Sequence, residues 1–220
     1  MEASLKILKK DKRFAVLIKR HGKPELSRGK NLFQALVRAI VYQQLSGKAA
    51  ATIYGRFVAL FNDPKVPAAK HKFPKPKAVL KMPFLKLRSV GLSGQKATYI
   101  QDIAQKFTDG TIKHKQLHRM QSDEVTKHLT QIKGVGVWTV HMLQIFTLGR
   151  LDVLPVGDLG IQKGFQVVYR LKTLPTPAEM EKLAKNWRPH ASVAAWYLWR
   201  AADEAKINIK RKSLTQKVKK

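Results

Sequence analysis

The chain has 220 residues, 44% of them hydrophobic, and 43 Lys and Arg stand against 14 Asp and Glu, a formal net charge of +29. Length and apolar content suffice for one large domain or two small ones with a shared interface. The absence of cysteine excludes disulfides and any Cys-ligated zinc or iron–sulfur site, and the charge favours a polyanionic partner, nucleic acid being the commonest, although a solvated basic surface gives the same total.

In chain order, residues 2–20 read as one or two amphipathic helices with Leu5, Leu8, Phe14, Leu17 and Ile18 as apolar positions, ended by His21-Gly22-Lys23-Pro24. Residues 25–30 are a polar connector. Residues 32–45 carry the clearest helical pattern, Phe33, Leu36, Val37, Ile40 and Val41. Ser46 or Gly47 starts another helix, through Phe61. Gly47-Lys48 is not a P-loop, because the upstream glycine is missing and Ala49 replaces the Ser or Thr that would reach magnesium. Residues 62–82, rich in Pro and Lys, read as a surface loop, and short helical pieces follow from Pro83 to Val90. Ser93 is placed to cap a helix containing Ile100, Ile103, Ala104 and Phe107, closed by Asp109-Gly110. Ser122-Asp123-Glu124 starts the next helix. Thr176-Pro177-Ala178-Glu179 is a capping box with Pro at the first helical position. The last helix runs from about Ala191 to Ala205, and the basic end, Lys206 to Lys220, is expected to fray. No period-2 alternation is long enough for a strand, and there is no internal repeat, so the expected class is all-α.

The stretch from Leu129 to Asp158 is the most informative. A helical segment ends at Ile132, Gly134-Val135-Gly136 makes a tight turn, and a second helix follows with apolar residues at Trp138, Met142, Ile145 and Phe146. Glycines permit a hairpin too tight for side chains. The N–H groups that open the second helix form a phosphate site. Leu129, Ile132, Gly134, Val135, Gly136, Thr139 and Val140 resemble the helix-hairpin-helix of DNA repair glycosylases. The loop that follows one helix later, Leu154-Pro155-Val156-Gly157-Asp158-Leu159-Gly160, narrows the resemblance to the 3-methyladenine DNA glycosylase II (alkylbase DNA glycosylase) branch of that superfamily, over about residues 31–202.

The resemblance implies two helical lobes with an active cleft between them. One is 31–150, ending in the hairpin motif at about 122–148; the other is formed by 1–30 and 151–220. It implies an enzyme that removes alkylated purines, such as 3-methyladenine and 7-methylguanine, by flipping the base out and hydrolysing its N-glycosidic bond. The family's catalytic Asp falls at Asp158, where a carboxylate would stabilise the positive charge that builds at C1′; the same position also suits a helix N-cap. Asp152, nearby, reads as structural. Relatives that also cut the strand carry a Lys nucleophile where this chain has Trp138, and an indole forms no Schiff base. Lys133 and Lys163 do not match that position. Lyase activity is therefore not expected.

Trp138 and Trp199 align with walls of the family's base pocket, and Tyr42 is a further candidate. Stacking and cation–π attraction to a positively charged base contribute about 0.5–2 kcal/mol per ring, but tryptophans at helical spacing are also ordinary core residues. Trp187 and Trp196 are assigned to packing. The wedge that fills the gap left by a flipped base falls at Gln44 or Leu45, in a segment that also suits a plain polar helix end. Phosphate grip is expected from Gly134 and Gly136, aided by Thr139, and from Gly47, Lys48, Ser93 and Lys96. No cofactor is required; family hairpins hold a monovalent cation through main-chain carbonyls, here those of Thr130, Ile132 and Val135. His114 and His118 have metal-ligand spacing but lack partners, and His141 packs or faces the cleft. One departure is Ala191, where relatives place an Arg.

The expected partner is double-stranded DNA with alkylated bases, met by a monomer. No apolar run approaches the roughly 20 residues of a membrane span, and Met1-Glu2-Ala3-Ser4 is not a signal peptide, so the expected place is inside the cell, with the DNA. Two rivals share some of the features: a non-catalytic helix-hairpin-helix DNA binder, which has no reason to combine Asp158 with Trp138, and a basic RNA-associated structural protein, which the absence of an aromatic-rich sheet motif disfavours.

Overall fold

The computed structural model describes residues 1–218 apart from Ser27 and Lys30, and side chains as far as Asn208. Caps and apolar spacing set the helices. α1 (Glu2–Leu8) and α2 (Lys12–His21) are divided at Asp11, whose carboxylate caps α2 by accepting the Arg13 N–H at 2.9 Å. α3 (Leu32–Tyr42) buries Phe33, Leu36, Val37, Ile40 and Val41 behind an Asn31 cap. α4 (Gly47–Ala59) is capped by Ser46. α5 (Pro76–Lys81) and α6 (Phe84–Ser89) are single short turns of helix, and α7 (Gly94–Thr108) opens on Ser93, whose hydroxyl accepts the Lys96 N–H. α8 (Ser122–Leu129) begins where Glu124 accepts the Gln121 N–H at 2.6 Å. α9 (Val137–Phe146) completes the hairpin, α10 (Leu159–Tyr169) follows, α11 (Pro177–Ala184) carries the Thr176–Glu179 capping box, and α12 (Ala191–Val218) ends the chain. Among the described residues there is no strand, so the all-α class holds.

Three expectations are corrected. The helix predicted over 32–45 stops at Tyr42, because Gln44 takes a left-handed backbone, φ 56°. The segment 62–82 is not all loop: its last turn is α5, whose Val79 is fully buried against the core. The last helix does not end at about Ala205: α12 runs on to Val218, and Lys219 and Lys220 lie outside the described residues, as do Ser27 and Lys30 of the polar connector. In α9, of the apolar positions Trp138, Met142, Ile145 and Phe146, Ile145 alone is fully buried. Thr139, Val140, Leu143, Gln144 and Ile145 are buried, whereas Trp138 and Phe146 are 49% and 37% exposed.

The chain divides into two compact units: a terminal unit of residues 1–28 and 144–220, and a central unit of 29–143. In the terminal unit Trp187 lies against Phe14 (ring centroids 4.8 Å apart) and Phe165 (5.3 Å), and fully buried Tyr197 donates its hydroxyl to Gly22 O at 2.7 Å. Helices α10 and α12 approach backbone to backbone at Gly164, where a Cβ would come within 2.4 Å of Leu198 O. In the central unit α7 packs on α3, α5 and α6, burying Ile100, Ile103, Leu36, Ile40, Val79 and Leu87.

Gly164→Ala is expected to lower stability by about 1–3 kcal/mol, the usual cost of overpacking, read as a lower denaturant midpoint. A second expectation concerns pH. His128 Nε2 accepts the Lys113 N–H at 3.0 Å, a bond that needs that nitrogen unprotonated. Burial, then the Lys113 charge, hold His128 below the usual histidine range, and burial does the same for His141 against a smaller opposing pull from Asp123. The unfolded chain then binds protons that the folded chain resists, so stability is complete above about pH 6.5 and declines as pH falls through that range. A melting series from pH 7.5 to 5 should show this decline, and His128→Gln, whose amide oxygen still accepts, should flatten it in part.

Candidate functional site

In the terminal unit the loop before α10 is a tight turn on buried Val153, Leu154 and Pro155, and the Asp158 N–H donates to Pro155 O at 2.9 Å. This delivers Asp158 to the N-cap position of α10, where its Oδ1 accepts the Ile161 N–H at 2.9 Å. The same oxygen accepts the Trp199 indole N–H, also at 2.9 Å. The carboxylate is half-buried, sits at the positive end of a helix dipole, and is tied to the backbone of one helix and a side chain of another. Phe146 leans over Trp199 with ring centroids 5.8 Å apart. Gly160 makes room for this: a Cβ there would stand 2.9 Å from both Asp158 Oδ1 and Trp199 Cδ1.

Asp152 has a different role. Its Oδ1 accepts from Arg188 Nη1 at 3.0 Å and from the Ala191 N–H at 3.1 Å, so it caps the start of α12, and Arg188 also meets Glu181. Beside it, Ser192 Oγ accepts the Val153 N–H at 2.9 Å. Ala191, the departure from the family pattern, is fully buried in this joint.

In the central unit the hairpin is seated on α7. Gly134, at φ 79°, lies so close to Tyr99 that a Cβ would fall 2.2 Å from the ring. The Lys133 N–H donates to Asp102 Oδ2 at 2.9 Å, and Lys106 meets Asp102 Oδ1 at 2.8 Å. Gln43 Nε2 donates to Gly134 O at 2.9 Å, and Lys96 Nζ donates to Val41 O at 2.8 Å and Gln43 O at 2.7 Å. Lys96, Tyr99, Asp102 and Lys106 recur every three or four residues, one face of α7, so a single stripe supports both the hairpin and the α3–α4 connection.

The predicted residues therefore fall into groups. Asp158 and Trp199 are joined directly, and Trp138 is half-exposed in the first turn of α9. Tyr42, at the end of α3, has the Arg38 guanidinium 4.1 Å above its ring and Tyr54 edge-on. Gln44 and Leu45 are exposed at the α3–α4 tip. Gly134, Gly136, Gly47, Lys48 and Ser93 are exposed; Thr139 is not, because it sits on the buried face of α9, and the Lys96 ammonium is directed at carbonyls of its own unit. Ile132 O accepts the Val135 N–H in the hairpin turn. Sequence reasoning missed the Trp199–Asp158 bond and the α7 stripe. A signal for the first is present: Gly160 and Gly164, four apart, mark one face of α10 as an approach surface.

Comparison with known proteins gives matches of sequence family and of fold. Residues 37–189 match the model of the HhH-GPD superfamily base excision DNA repair proteins. The chain is 37% identical over 174 residues to DNA-3-methyladenine glycosylase 1 of Schizosaccharomyces pombe, covering 79% of this chain and 73% of that protein. It superposes on the S. pombe 3-methyladenine DNA glycosylase in complex with abasic DNA with a TM-score of 0.76, at 35% identity, over 91% of this chain and 96% of that one. It likewise matches the Bacillus halodurans DNA-3-methyladenine glycosidase with a TM-score of 0.78, at 36% identity, over 89% and 87%.

Because Asp158 is an N-cap, Asp158→Ala should cost roughly 0.5–2 kcal/mol of stability. Asp158→Asn keeps an acceptor for Ile161 and Trp199 and should cost less; urea midpoints of the two variants test the order.

Proposed function

The chain belongs to the HhH-GPD superfamily of base excision DNA repair proteins, and from that premise we propose that it is a DNA N-glycosylase for alkylated purines such as 3-methyladenine and 7-methylguanine. The observation that carries the reading is the Asp158 carboxylate, fixed by Ile161 N–H and Trp199 Nε1–H at the mouth of α10.

Breaking the N-glycosidic bond builds positive charge at C1′ as the base leaves. A carboxylate already oriented needs no reorganisation to stabilise that charge, and it can orient or deprotonate the attacking water. Alkylated purines carry charge on the base and leave readily, so little acid help is required. An enzyme acting on one base in a duplex must extrude it; Gln44 or Leu45, exposed at their tip, are proposed to fill the gap. Trp138, Trp199 and Tyr42 are proposed to stack on the base. Trp138 stands where a lyase would carry its Lys, which supports base removal without strand cleavage.

The exposed backbone of Gly134 and Gly136, with Gly47, Lys48 and Ser93, is proposed to meet phosphates. Carbonyls of Thr130, Ile132 and Val135 are a donor set suited to a hard monovalent cation, and Ile132 O keeps a second lone pair beyond the one taken by Val135. Such an ion would add positive charge to the hairpin. The protein is proposed to act as a monomer.

The test is base release from DNA treated with a methylating agent, comparing the protein with Asp158→Asn. The parent should release methylpurines, the variant at least about 100-fold more slowly, and strand breaks should appear only after alkali. No release by either, with duplex binding retained, would replace this reading with a non-catalytic DNA binder. Equal release by both would remove Asp158 from the mechanism, and breaks without alkali would remove the lyase-free assignment.

A further inference from the structure

We propose that Lys96 is a positioning residue that holds the α3–α4 tip, Gln43 to Ser46, in the shape needed to enter DNA, and that it does not itself bind a phosphate. This deepens the glycosylase reading and rests on it for the role of the tip.

The tip has an unusual backbone. α3 ends at Tyr42, and Gln44, which is not glycine, sits at φ 56°. Left-handed backbone is disfavoured for residues with a Cβ and persists only where the surroundings enforce it. The last carbonyls of a helix also lack intrahelical donors. Lys96 answers both needs: two of the three N–H bonds of its ammonium point at Val41 O (2.8 Å) and Gln43 O (2.7 Å), one on either side of Tyr42. Gln43, one of these two, also donates its side-chain amide to Gly134 O at 2.9 Å, so the tip is also tied to the hairpin. On the far side Ser46 caps α4. Between these anchors Gln44 and Leu45 are left exposed, Leu45 by 40%.

Lys96 is itself anchored, since its backbone N–H is held by Ser93 Oγ at 3.2 Å. Partial burial lowers its affinity for a proton below that of an ordinary lysine. That is the environment of an ammonium facing protein carbonyls, and it opposes the phosphate role that its position after Ser93-Gly94 suggests.

The experiment compares the full chain with Lys96→Met, Lys96→Arg and Gln43→Leu. Amide exchange at 43–46 is measured without DNA. Binding to an undamaged duplex is measured across a salt series. Unstacking is followed by the fluorescence of a duplex with 2-aminopurine at the target position. Lys96→Met should raise exchange at 43–46 roughly tenfold and abolish the fluorescence rise. It should leave the salt slope unchanged, while Lys96→Arg restores part of both lost properties. A salt slope reduced by about one, with exchange unchanged, would make Lys96 a phosphate contact and overturn the proposal. If Lys96→Met does not fold, Gln43→Leu, which cuts the other tie, should still raise exchange at the tip; unchanged exchange there would also overturn it. A parent that never unstacks the target, in a chain whose tip still loosens on Lys96→Met, would keep the positioning role and remove the glycosylase reading.

Discussion

The terminal unit depends on how closely α10 approaches α12. With a glycine at 164, the backbone of α10 comes up against Leu198, leaving no room for even a methyl group between them. One residue along, that spacing lets the Trp199 ring lie across Gly160 and aim its N–H at Asp158 Oδ1. A larger residue at either glycine would push the helices apart and draw the indole off the carboxylate. The same contacts therefore bury the core and orient the proposed catalytic group. Fixing the carboxylate costs side-chain entropy, and that cost is met when the chain folds rather than in each reaction cycle.

The central unit uses one helix in a comparable way. α7 buries Ala97, Ile100, Ile103 and Ala104 on one side. On another it presents Lys96, Tyr99, Asp102 and Lys106 to the hairpin and to the end of α3. Tyr99 lies under Gly134, Asp102 receives the Lys133 N–H, and Lys96 receives the end of α3. An acidic side chain among so many cations is explained by these bonds: Asp102 serves a backbone N–H and Lys106 together. Loops with few apolar contacts are the first to open; here polar ties to a rigid helix add to the burial of Ile132 and Val135.

The fold class was legible because helix periodicity and caps are local. Asn31, Ser46, Ser93, Asp158 and Thr176 each cap the helix that follows, as their chemistry predicts. What local pattern could not show was where tertiary contacts override it. α3 ends at Tyr42, where the backbone turns at Gln43 and Gln44 and Val41 O is met by an ammonium 55 residues away, and α5 forms in a Pro- and Lys-rich stretch because Val79 finds a core. In α9 seven of ten positions are apolar, so periodicity alone does not separate the buried side from the side that exposes Trp138 and Phe146. The candidate site was half legible. Asp158 stood out by its loop, but a bond spanning 41 residues to Trp199 leaves only an indirect trace, the glycines at 160 and 164.

That Asp158 is also a helix cap has an evolutionary consequence. Aspartate and asparagine codons differ by one nucleotide, and an asparagine at this position could still accept from Ile161 and Trp199. A lineage can thus lose the negative charge in one mutational step without losing the fold or the exposed hairpin backbone. Under the role proposed for Asp158, gene duplication would then readily leave one copy as a repair enzyme and the other as a folded protein that only recognises DNA.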